Sequence, residues 1–138
     1  MKRTVLEVGL AAVAGWCALV LPVILDPNRQ RHRAAFLPFM RDAVEGIQVY
    51  SLGRLFGVGL LLGLIGRAPI LMLGLASIAT FPLWSAIDLV MRSDAHNLLP
   101  IEWFFYLVYG FIATAGVSVG RVALKYWHGL GNAKPEKP

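Results

Sequence analysis

The residues best suited to chemistry in this chain fall within one short stretch: Asp88, Arg92, Asp94, His96, Asn97 and Glu102. Carboxylates beside a histidine can hold a metal or move a proton. Asp88 and Arg92 stand four apart, a spacing that pairs opposite charges on one helix face. The acids and the histidine follow no ligand spacing, so the expectation is a hairpin that keeps its charges in water and uses them to cap and pair. No metal, cofactor or catalytic residue is assigned. His32 and His128 sit in basic segments and take no role.

Arg54 is the other charge that asks for an explanation. Only 12 uncharged residues separate it from Arg67, so a helix crossing a membrane there must start near Gly46 and carry Arg54 about 12 Å inward at roughly 1.5 Å per residue. An arginine at that depth costs a few kcal/mol unless it snorkels or pairs. Asp88 is the expected partner, with Glu102 as the alternative.

The elements that must position these residues are four uncharged apolar stretches, 8–25, 55–66, 68–87 and 103–120, in a chain of 138 residues that is 57% apolar. Three are long enough for helices that cross a hydrocarbon core of about 30 Å. Lipid leaves the backbone no water to bond, and no strand-like alternation is present, so the spans must be helical. The expected fold is all-α: a polytopic membrane protein with four transmembrane helices in one bundle over residues 1–128, and a mobile tail over 129–138. Phe36, Met40, Val44 and Ile47 stand opposite Arg41, Asp42, Glu45 and Gln48, which predicts a short interfacial helix between the first and second spans. The third span is expected over 69–91 as one helix kinked at Pro82, with Thr80 satisfying the freed carbonyl. The first run exceeds the roughly 7 to 15 residues of a signal-peptide core, so it is read as a retained span. Cys17 is read as a buried free thiol.

Four spans would put both termini on one face. There Lys2, Arg3, Arg67, Arg121, Lys125, Lys134 and Lys137 oppose only Glu7 and Glu136, whereas six arginines balance six acids on the other face. Counted as Lys and Arg alone the faces are nearly even at seven against six, and the placement of every lysine on the terminal face tips the expectation to cytoplasmic termini in a bacterial inner membrane. The same distribution explains the net charge of +5 as topology, and nucleic acid is not an expected partner. Tyr50, Trp84, Trp103, Phe104, Phe105 and Tyr106 gather at the opposite interface as anchors, or line a pocket for a lipid, sterol-like molecule or quinone.

Gly53 and Gly57, Gly59 and Gly63, and Gly116 and Gly120 are pairs of small residues four apart, which let helix backbones approach in lipid. Their density in the second span predicts a helix at the centre of the bundle or at a subunit interface. No Asp, Glu, Lys or His falls near a midplane, which disfavours ion-coupled transport. The functional expectation is a small integral membrane protein without catalysis of its own. It would act as a membrane-embedded subunit or homo-oligomer whose partners are the lipid bilayer and other subunits. A small channel or facilitator built from several copies is one alternative, with Ser77, Thr80, Ser85, Thr114 and Ser118 in its wall. An interfacial lipid- or quinone-handling enzyme using Asp88, His96 and Glu102 is the other.

Overall fold

The computed structural model of the chain describes residues 2–25, 49–91 and 99–131, and all regular structure there is α-helical. The helices are α1 (Lys2–Leu25), α2 (Val49–Ile65), α3 (Ile70–Ala76), α4 (Thr80–Met91) and α5 (Leu99–Gly131). Residues 26–48, where the interfacial helix is expected, and the tail from 132 lie outside the described residues. Lys2–Leu25 and Ile101–His128 are each long and apolar enough to cross a membrane. Ile70–Ala76 and Thr80–Met91 add a third crossing if the bent pair forms one span, while Tyr50–Ile65 is apolar but shorter. Two spanning helices, a bent pair and a shorter apolar helix thus stand where four full spans are expected.

The third segment is two helices, which corrects the single kinked helix expected over 69–91. Residues 77–79 form a turn, and α3 and α4 meet at 43° across it. Pro82 has no N–H to offer the carbonyl of Ile78, four residues back, and its ring crowds that carbonyl. Ile78 accepts instead from the N–H of Phe81 at 3.1 Å, a tightened bond that belongs to a turn. The break therefore falls a turn ahead of the proline that causes it. The hydroxyl expected to help is also a different one: Ser77 Oγ donates to the Gly74 carbonyl at 2.6 Å, while Thr80 Oγ1 is buried without a partner.

Two apolar cores fix how the helices run. One holds Leu19, Val20, Val23, Leu55, Ile78, Phe81, Trp84 and Tyr106; the other holds Ala11, Leu62, Ala68, Leu73, Ala76 and Val117. Going along the chain, α1 passes from the second core to the first, and α2 returns. The α3–α4 pair then repeats the direction of α1, and α5 that of α2. Successive passes are antiparallel, so α2 and α5 are parallel. These two parallel helices also make the most extensive contact in the structure.

Candidate functional site

Only Glu102 of the expected polar cluster can be followed through its side chain. Arg92, Asp94, His96 and Asn97 lie outside the described residues, as does the side chain of Asp88, which α4 carries in its last turns. Glu102 stands in the first turn of α5 and accepts a hydrogen bond from Ser85 Oγ of α4 at 2.7 Å. One turn on, the Tyr106 hydroxyl lies close to Ser85 and the Glu102 carboxylate, short of a well-formed hydrogen bond to any described residue. The Trp84 Nε1 group, in a side chain that is 8% exposed, likewise forms none among the described residues. Phe81 packs against Tyr106 with ring centroids 6.3 Å apart. The result is a carboxylate held by one hydroxyl, above two buried donors set in an aromatic core. Such a group can orient α4 on α5, or present hydrogen bonds to a polar atom that enters between them. Among the described residues no three metal-ligating side chains come together.

Arg54 is exposed on α2, and among the described residues it forms no ion pair, with Glu102 or any other group. Its expected pairing with Asp88 falls on a side chain outside the described set.

The glycines divide into two sets. Gly59 and Gly63 of α2 sit against the carbonyls of Ala113 and Val117, and Gly116 and Gly120 of α5 sit against those of Phe56 and Leu60. Each helix thus offers glycines to the other's carbonyl oxygens, in a register that advances equally along both, as parallel packing requires. A Cβ at any of the four would collide with backbone. Gly53 and Gly57 differ: a Cβ at either would meet nothing within 4 Å. Three of the hydroxyls considered for a pore wall bond their own helix, Ser77 to Gly74, Thr114 to Gly110 at 2.8 Å and Ser118 to Thr114 at 3.0 Å.

A polar arrangement at the other end of the bundle is missed by sequence reasoning, which counts its members only as surface charge. The Glu7 carboxylate of α1 accepts the N–H groups of Arg67 at 2.8 Å and Ala68 at 2.7 Å, and pairs with Arg3 Nε at 3.0 Å. From the opposite side the Arg121 guanidinium of α5 donates to the carbonyls of Gly66 and Ala68. An acid and a base from the two longest helices therefore clasp the α2–α3 turn, each through the backbone groups it suits. The only local signal in the sequence is the four-residue spacing of Arg3 and Glu7. No family model matches the chain, and no curated protein and no solved structure shows significant similarity to it.

Proposed function

We propose that this chain is a small integral membrane protein without catalysis of its own, working as a membrane-embedded subunit or homo-oligomer. Its four alternating passes would each cross the bilayer, with both termini in the cytoplasm. The placement of every lysine on the terminal face, with seven Lys and Arg there against six opposite, supports that orientation, and the alternation of the two cores supports the passes. The observation that carries the assembly reading is the outer face of α2. Gly53 and Gly57 leave its backbone open there, and the exposed Arg54 lies between them. In lipid such a stripe suits the close approach of another helix, which would also bring polar groups to the arginine.

Gly57→Leu tests this directly. Copy number after gentle extraction, read by native mass spectrometry, should fall in the variant while its helix content and thermal unfolding stay unchanged. A wild-type chain that is monomeric in nanodiscs and pulls down no membrane partner would sink the proposal, as would a Gly57→Leu variant with unaltered assembly.

A further inference from the structure

At the end of the molecule bearing the Glu7 clasp, a groove of about 380 Å³ opens between α1 and α2. Its walls are Leu6, Leu10 and Ala14 from α1 and Val58, Leu61 and Ile65 from α2, with the fully buried Leu73 of α3 at its base. The groove exists because its walls are held apart. Gly15 seats α1 on the Ser77 carbonyl, while Gly59 and Gly63 draw α2 onto α5, so neither helix closes the wedge between them. Arg3 and Glu7 stand at the mouth.

We propose that this groove seats one acyl chain of an anionic phospholipid, with the phosphate held between Arg3 and Arg67. Length is the first argument. From Arg3 to Ala14 the groove runs about 16 Å along α1 at about 1.5 Å per residue, close to half of the roughly 30 Å hydrocarbon core and so to the depth of one leaflet. Charge is the second. Glu7, the acid at the mouth, is committed to two backbone amides and to Arg3 Nε. Among the described contacts Arg3 spends only its Nε, and the exposed Arg67 engages Glu7 through its backbone rather than its guanidinium. Arg3 lines the mouth, and the exposed Lys2 and Arg67 adjoin it, one in sequence and the other through its backbone bond to Glu7, so cations stand near an acid already satisfied. A headgroup bearing a negative charge is the complement of that arrangement, and the apolar walls below it suit the acyl chain that such a headgroup carries. The α2 wall begins at Val58, directly after Gly57, and Leu61 lies one turn beyond Gly57 on the same face, so copy number read beside lipid retention is needed to keep this inference apart from the assembly reading.

The test is native mass spectrometry of the full chain released from nanodiscs that contain equal amounts of phosphatidylglycerol and phosphatidylcholine with identical acyl chains. Wild type should retain phosphatidylglycerol with a preference on the order of tenfold, as expected for two basic side chains near a headgroup. The Arg3→Gln/Arg67→Gln variant should lose the preference, and Lys125→Gln should keep it. Leu61→Trp, at a side chain that is 57% exposed and therefore not needed by the core, should reduce retention of both lipids. Equal retention of the two lipids by wild type would overturn the proposal, and so would an undiminished preference in the double variant. If Leu61→Trp lowers copy number and leaves lipid retention unchanged, the groove holds a second copy of the chain and the lipid assignment is wrong. Should the double variant fail to fold, the wild-type preference and Leu61→Trp still decide.

Discussion

Replacing Gly63 by alanine adds a single methyl group at one of the points where the backbones of α2 and α5 meet. That Cβ would lie 2.9 Å from the Val117 carbonyl carbon and 3.0 Å from its Cα, and closer still to the carbonyl oxygen. Carbon atoms rest at about 3.5–4.0 Å, so the helices must part by about 0.5–1 Å, which forfeits a quarter to a half of the dispersion energy at each contact along the seam. Overpacking of this kind costs about 1–3 kcal/mol, and the upper part of that range applies because the obstacles are backbone atoms that cannot change rotamer. Alanine also favours the helix over glycine by about 1 kcal/mol, leaving a net loss of about 1–2 kcal/mol. Gly57→Ala carries the same propensity gain with no collision. The difference between the two variants therefore isolates the collision at about 2–3 kcal/mol.

Gly116→Ala should resemble Gly63→Ala, since its Cβ would meet the Phe56 carbonyl and lie 2.9 Å from the Leu60 nitrogen. One separation of the helices accommodates both methyl groups. The double variant should thus cost less than the two single losses added together, by about 1 kcal/mol or more. Equilibrium unfolding in bicelles by steric trapping measures all four variants on one scale. If Gly63→Ala is as stable as Gly57→Ala, the seam is not held by backbone contact and the argument fails.

Glu7→Ala should speed amide hydrogen exchange at Ala68 and Arg67, whereas Arg3→Ala should barely change it, because the exposed Arg3 pair adds little to the two amide bonds; equal effects would deny the clasp. Tyr106→Phe removes a buried hydroxyl that makes no well-formed hydrogen bond among the described residues, so unfolding should show it neutral or stabilising by about 1 kcal/mol; a loss above that size would mean the hydroxyl is bonded, with Ser85 as the neighbour in reach. Single cysteines at Gln30 and Ala95, in a Cys17→Ser background, should react with an impermeant reagent outside intact cells while one at Ala133 stays protected. Labelling of positions 30 and 95 from opposite sides would break the four-pass topology.

The long helices are legible in the sequence because length and hydropathy need no neighbour to interpret them: the apolar runs at 8–25 and 103–120 become the cores of α1 and α5. The glycines are legible only in part. Gly53 and Gly57 have the same spacing as Gly59 and Gly63, yet one pair meets nothing and the other meets the backbone of α5. A four-residue spacing marks where a helix can be approached, and only the rotation of α2 decides where it is. Pro82 announces a disturbance, but its steric effect acts on the carbonyl four residues earlier, which moves the break to 77–79. Glu7 is the least legible of all, since its amide partners lie 60 and 61 residues away and backbone N–H groups leave no mark on a residue pattern.

The parallel contact of α2 with α5 also orders events during biogenesis. α2 leaves the ribosome before α5, so the surface that fits Gly59 and Gly63 is made after the helix that rests on it. Until α5 arrives, the Gly59 and Gly63 face of α2 has no α5 backbone to rest on. Closure of the α2 seam is therefore tied to synthesis of α5. A chain cut short before α5 keeps Gly59 and Gly63 but lacks the Ala113 and Val117 carbonyls they rest on, so the loss falls on a helix made well before the cut.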